Sequence, residues 1–503
     1  MGADVAYRSA VELADDIAGH HVSPVEIMEE TLRRVEERES SLNAIVYRGF
    51  DEAMESARSA EEALAQGRAG GPLLGVPVLM KDLFDFKPGW PATFGGIPAM
   101  SEFSIDGYCV WAERMEAAGA IIIGKGNSPA MGFRGACDNY LFGPTRNPFD
   151  TTRNSGGSSG GSAAVVADGL VPIAEGTDGG GSIRIPASWC GVVGYQPSAG
   201  RVPSILRPNA FSGVSPFIYE GPITRTVADA ALAMSVLAGP HPGDPYCALD
   251  TVDFLAGLDK GVEGWNIAYS PDLGVYPVQR DVAAVVEEAV RAFEDAGARV
   301  VEVDLEIDID QRELADLWCR LIMPLSLDSF ANLAAGGIDL LGEHRSDLPP
   351  EFLRWADHVA SMTAMEYFDD NSMRTRVYDA MQAVLGEYDV LVSPTLACLP
   401  VENLATGETR GPVVIEGVEV DPLIGWCMTY FTNFTGHPAI SLPAGLAYGL
   451  PVGMQVIGRR GADLDVFAAS AAFERVRPWE QIYQIPASRP LTVCGPLPPV
   501  KAR

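Results

Sequence analysis

At 503 residues the chain is long enough for a large buried core, and 47% hydrophobic with 20% charged residues is the composition of an ordinary globular protein. The 36 Lys and Arg against 67 Asp and Glu leave a formal net charge of -31, so the average field repels polyanions and argues against nucleic acid or an anionic membrane surface as a partner. The eight cysteines, at 109, 137, 190, 247, 319, 398, 427 and 494, form neither a CxxC pair nor a Cys/His cluster, which argues against a disulfide framework or a structural zinc site.

The first residues, MGADVAYRSAVELADDI, carry acid where an export signal carries base, and no apolar run is long enough to span a bilayer. A cytoplasmic location is expected. Met1-Gly2 opens a myristoylation pattern that Ala6 fails to complete. Ser23-Pro24-Val25-Glu26 reads as a helix start, with Ser23 as cap, Pro24 in the first turn and Glu26 closing a capping box. Val25, Met28, Leu32 and Val35 then share one face. Residues 44–47 suit a strand, and the Ala/Glu-rich run 51–66 a second helix ended by Gly67. Residues 75–80 form a short buried strand that delivers Lys81-Asp82 at its carboxyl end.

A helix near 110–118, a strand at 120–124 and a turn-rich segment 127–150 follow. The stretch 153–189, RNSGGSSGGSAAVVADGLVPIAEGTDGGGSIRIPASW, then sets Ser158 and Ser182 in glycine-rich loops on either side of a short helix and a strand. Glycine permits sharp turns and brings bare N–H groups close to a ligand, so the stretch is suited to an anion or a developing oxyanion. Further on, strands are predicted at 192–195, 267–269, 299–305, 390–393, 439–443 and 452–457, and helices at 228–237, 280–296, 313–333, 365–385 and 464–476. Helix and strand alternate with short connections, without a low-complexity linker or an internal repeat. An α/β fold with a large mixed sheet covered by helices on both faces is expected, as one domain over 1–503 with a helical segment at about 1–66.

Ser158 and Ser159 both satisfy G-x-S-x-G, but a nucleophile elbow needs a strand immediately before the serine, and residues 146–154 read as a loop. Of the six histidines only His437 lies between turn chemistry and a strand, where a structural role is the competing interpretation. Lysine can activate serine instead, provided that burial holds it neutral, and Lys81 has an apolar strand behind it. On spacing alone, a lysine that snorkels out from a strand end explains the position equally well.

The motifs GVPVLMKD at 75–82, GGSSGGSAA at 156–164 and GTDGGGSIRIPA at 176–187 together resemble the amidase signature family. The resemblance continues in order through PSAGRVP at 197–203, GPITRTVADAA at 221–231, LVSPT at 391–395, TGHPAISLPAG at 435–445 and LPVGMQVIGR at 450–459. It implies a Ser–cis-Ser–Lys triad of Ser182 as nucleophile, Ser158 as proton bridge after a cis peptide, and Lys81 as base. It also implies an oxyanion hole of Gly179, Gly180, Gly181 and Ser182 N–H groups, supporting roles for Ser159 and Thr177, and site-lining positions at Met131 and Gly132. Asp178 and Arg184 are expected to brace the loop by charge-assisted hydrogen bonds. Cys319 and Trp426, in the tracts 317–319 and 423–430, are candidates for an apolar substrate wall or for ordinary core.

The function implied is a serine amidohydrolase that uses neither metal nor cofactor. It acts on aryl or alkyl amides, with carbamates and esters also accommodated, as a monomer or homodimer. A glutamyl-tRNA amidotransferase A-type subunit is the alternative within the family. A non-hydrolytic phosphate or nucleotide binder is the alternative outside it, against which no G-x-x-x-x-G-K-[ST] occurs.

Overall fold

The computed structural model describes residues 5–68, 70–212 and 217–492. Cys494 and the Met1-Gly2 pattern lie outside the described residues. Eleven strands form one mixed sheet: β1 (Ile45–Arg48), β2 (Pro77–Lys81), β3 (Ile121–Gly126), β4 (Ile173–Asp178), β5 (Val193–Gln196), β6 (Tyr219–Thr224), β7 (Asn266–Tyr269), β8 (Arg299–Glu302), β9 (Val390–Pro394) and, after a small hairpin of β10 (Val414–Ile415) and β11 (Val418–Glu419), β12 (Ala439–Ala447) and β13 (Leu450–Gly458). The order across the sheet is β1-β3-β2-β4-β6-β5-β12-β13-β9-β7-β8. β2 runs parallel to β3 and β4, and β7 runs parallel to β8 and β9; the other pairings are antiparallel.

Helices cover the sheet, so β2, β3, β4, β5, β9 and β13 are buried at every residue, the polar Lys81, Lys125, Glu175 and Asp178 included. One core cluster packs the helices Ala10–Ala18, Pro24–Arg38, Val227–Leu237, Arg280–Val290 and Asp463–Val476 with the sheet. A second gathers around the helices Gln311–Ala335, Pro350–Val359 and Ala364–Glu387.

Pro24–Arg38 starts as its sequence predicts, with Ser23 and Glu26 completing the capping box. Its buried face is turned from the expected one: Pro24, Ile27, Met28, Thr31, Val35 and Arg38 are buried, while Val25 and Leu32 are half-buried at the edge. Arg38 joins that face, its guanidinium holding both oxygens of buried Asp168 at 2.7 and 2.9 Å, a pairing invisible to a count of apolar residues. The predicted helix 280–296 is interrupted at Arg291, giving Arg280–Val290 and Ala292–Asp295. β6 and the helices Arg184–Cys190, Pro350–Val359 and Tyr430–Thr435 have no counterpart among the predicted elements.

Candidate active site

Lys81 is the last residue of β2, and Asp178 is the last of its parallel neighbour β4. Both therefore emerge at carboxyl ends of adjacent parallel strands, where open α/β sheets form their crevices. The chain brings Ser158 and Ser159 to the same place just ahead of the helix Gly160–Ala167, after a cis Gly157-Ser158 peptide, as the family resemblance implies. Ser182 follows from β4 through the three glycines and precedes the helix Arg184–Cys190. A backbone bond from Ser159 N–H to Ser182 O, 3.1 Å, ties the two serine loops together.

Lys81 is completely buried. Its Nζ lies 2.8 Å from Ser158 Oγ, 2.9 Å from Ser159 Oγ and 2.7 Å from Thr177 Oγ1. Burial lowers its ammonium from the usual 10.5 to about 8, opposed chiefly by the nearby acidic groups Asp85 and Glu175. The lysine is thus set among hydroxyls rather than snorkelling to water. Gly132 touches the same spot: a Cβ there would sit 3.2 Å from Ser158 Oγ and 2.9 Å from Leu83 Cδ2. Met131, at φ 55, turns the chain into that contact.

The loop 179–182 is held from behind. Asp178 accepts from Gly181 N–H at 2.6 Å and from Ile183 N–H at 3.1 Å, and Arg184 grips both its oxygens at 3.0 and 3.1 Å. Burial alone would raise the Asp178 carboxyl; Arg184 and the donating groups of Asn433 and Ile183 hold it below its usual value. Trp318 Nε1 donates to Gly179 O at 2.8 Å, and Thr429 Oγ1 donates to Gly180 O at 2.6 Å. Side chains are excluded here: Gly181 has φ 120 and a Cβ on it would lie 2.0 Å from Thr429 Oγ1, and a Cβ on Gly180 would lie 2.8 Å from Trp318 Nε1.

Among the described residues, Gly179, Gly180 and Ser182 keep backbone N–H groups without a partner, and Ser182 Oγ makes no hydrogen bond within the protein. Gly181 departs from the expected oxyanion hole, because the Asp178 carboxylate already occupies its N–H.

Arg184 reaches the loop through the Asp178 carboxylate. Arg184→Ala leaves the fully buried Asp178 carboxylate without its counter-ion and is expected to cost about 3–5 kcal/mol. Chemical denaturation checks this, and Arg184→Lys is expected to restore little, because an ammonium cannot span both carboxylate oxygens.

The proposed wall residues fare differently. Trp426 and Cys319 expose 0% and 1% of their surface, so neither presents a face that substrate can touch. Trp426 stacks on Trp189 with ring centres 4.8 Å apart. Apolar and aromatic residues serve core packing and pocket lining with the same pattern, and here core packing takes both tracts, Trp318 included. A cavity of about 1080 Å³ instead abuts Thr177, with Phe84, Phe86, Phe217, Tyr219 and Arg374 among its lining. Phe84 and Phe86, in the Leu83-Phe84-Asp85-Phe86 run after Lys81-Asp82, are the sequence signal for it.

His437 is buried with Nδ1 2.7 Å from Thr435 Oγ1, and burial together with Arg460 lowers it to about 4. Among the described residues no histidine bonds Ser158 or Ser182. Asp85, Cys109 and Glu175 bring one ligand-capable atom each within 4.8 Å of one another, but Cys109 Sγ accepts the Ala112 N–H as a helix cap, and burial pushes its thiol well up.

The family model described as Amidase matches residues 26–467. An acylamidase of Rhodococcus erythropolis is 38% identical over 483 residues, covering 94% of this chain and 96% of that protein. The A-type subunit of the glutamyl-tRNA(Gln) amidotransferase of Moorella thermoacetica is 32% identical, covering 94% and 97%. The crystal structure of a bacterial aryl acylamidase of the amidase signature enzymes superposes with a TM-score of 0.95 at 50% identity, covering 97% of this chain and all of that one. With its mixed sheet and its serine–lysine site between the strand ends, this chain belongs to the amidase family.

Proposed function

We propose that this amidase hydrolyses small-molecule amides, aryl amides foremost, through an acyl-enzyme on Ser182, with Ser158 as proton bridge and Lys81 as base. The observation that carries this is the buried Lys81 Nζ among three hydroxyls. A neutral amine has one lone pair, so one of the three must donate to it. Ser159 Oγ has its own acceptor, Thr177 O, at 3.4 Å. Of the remaining two, Ser158 and Thr177, Ser158 stands at the family's proton-bridge position, and it hands its proton to Lys81 while accepting that of Ser182 as it attacks the carbonyl.

The tetrahedral oxyanion then faces the N–H groups of Gly179, Gly180 and Ser182. Each such donor is worth about 2.7–4 kcal/mol in the transition state. On collapse the proton returns through Ser158 to the leaving amine, and water repeats the cycle on the acyl-enzyme. Carbamates and esters enter by the same chemistry, since only the leaving group changes. Action in the cytoplasm as a monomer or homodimer, without cofactor or nucleic acid, belongs to the same reading.

The amidotransferase alternative is supported less: 50% identity to the aryl acylamidase structure compares with 27% to that of the A-type amidotransferase subunit of Thermotoga maritima. Incubating the purified protein alone with a chromogenic anilide and following amine release tests the choice. Turnover without partner subunits is expected; inactivity on every anilide, carbamate and ester offered would overturn it.

A further inference from the structure

With Lys81 as the base of that mechanism, we infer that Asp85 and Glu175 act as positioning residues, a buried carboxyl–carboxylate pair that holds one proton between them and presents a single negative charge to Lys81. The geometry starts from the backbone, where Lys81 N–H donates to Glu175 Oε2 at 2.8 Å. The other Glu175 oxygen, Oε1, is buried without a hydrogen-bond partner, and so is Asp85 Oδ2. Glu175 and Asp85 expose 0% and 1% of their surface, and their ligand-capable atoms lie within 4.8 Å of each other and of Cys109 Sγ. Two ionised carboxylates that close repel in a buried site, whereas a single proton shared between them replaces that repulsion with a hydrogen bond.

The charged groups near Lys81 among the described residues fit this count. Asp82, next along the chain, is neutralised by Lys125 of β3 at 3.3 Å and accepts from Thr93 N–H. Asp178 of β4 is neutralised by Arg184. The thiols of Cys109 and Cys137 are pushed up by burial and stay neutral. On β6, Glu220 is raised to about 8 by burial and by Asp85, so it too is largely protonated near neutral pH. Burial also raises Glu175 well above its usual value, while Asp85, opposed by Lys81 and Lys125, reaches about 6 and keeps the charge. One negative charge stops desolvation from driving the lysine far below neutrality. Two would hold it as an ammonium unable to accept a proton.

Three variants and two readouts test the pair. Asp85→Asn is expected to move the acid limb of the kcat/KM profile down by about one pH unit, the shift that loss of a close opposite charge produces. Glu175→Gln replaces a neutral carboxyl with a neutral amide that still accepts from Lys81 N–H, and is expected to leave that limb within a few tenths of a unit. The infrared difference spectrum between wild type and Glu175→Gln at neutral pH is expected to show a protonated-carboxyl band belonging to the wild type. An unmoved limb in Asp85→Asn, an equal movement in Glu175→Gln, or absence of the band would each overturn the shared proton. Lys81→Ala, run in parallel, separates the two levels: if it retains the acid limb, the base assignment itself fails, and if it loses the limb while Asp85→Asn leaves it unmoved, only the pair fails.

Discussion

Ser182→Ala is expected to lower kcat/KM by at least about ten-thousandfold and to abolish labelling by a serine-reactive phosphonate, with the thermal unfolding midpoint unchanged. The fold should be indifferent because Ser182 Oγ makes no hydrogen bond within the described protein, and because the loop around it is pinned through the Gly179 and Gly180 carbonyls and the Asp178 carboxylate. Ser158 differs, since its hydroxyl is bonded to Lys81 Nζ. If the two serines work as one relay, Ser158→Ala already removes most of the rate, and the double variant falls little below either single one, as members of a catalytic unit are grossly non-additive. Persistent phosphonate labelling of Ser182→Ala at Ser159 would sink the nucleophile assignment. Multiplying losses in the double variant would sink the relay.

The parts of this site legible in the sequence are those whose chemistry is local. Glycines crowd around Ser158 and Ser182 because backbone must approach backbone there, and Lys81 announces itself by following an apolar strand. Asp178 closing on Gly181 N–H is also local, three residues apart, yet a glycine motif read as a row of equivalent donors conceals it. What stayed hidden depends on the far side of the fold. Glu175 lies inside β4, where alternation marks it only as one residue of a buried strand, and its meaning comes from Asp85 on the loop after β2.

The same holds for the missed elements. β6 contains Pro222, which argues against a central strand, but β5 pairs only as far as Ile223, so Pro222 has a ladder neighbour on the β4 side alone and its missing N–H is tolerated. The helix Arg184–Cys190 carries Pro186 in its first turn, where the absent donor had no intrahelical partner to lose. Trp426 and Trp318 have the same composition signal and different roles, because one ring faces Trp189 and the other donates to Gly179 O.

The pH dependence of Lys81 carries the second large effect. Its ordinary value of 10.5 would leave about one molecule in three thousand with a neutral base at pH 7, whereas a value of about 8 leaves about one in ten, a gain of roughly three hundredfold. The sign follows: the active form is the deprotonated one, so kcat/KM is expected to rise with pH, tenfold per unit on the acid side, and to level off above about 8. Lys81→Ala is expected to lower the plateau by about 100- to 10,000-fold, the usual contribution of general base catalysis, and to erase the slope. Lys81→Arg is the sharper control. A guanidinium stays charged throughout the accessible range, so this variant preserves positive charge and hydrogen-bond donors yet is expected to be inactive at every pH. Activity recovered by Lys81→Arg would show that the lysine serves as a donor or a counter-charge, and the proton would then have to leave Ser158 by another route.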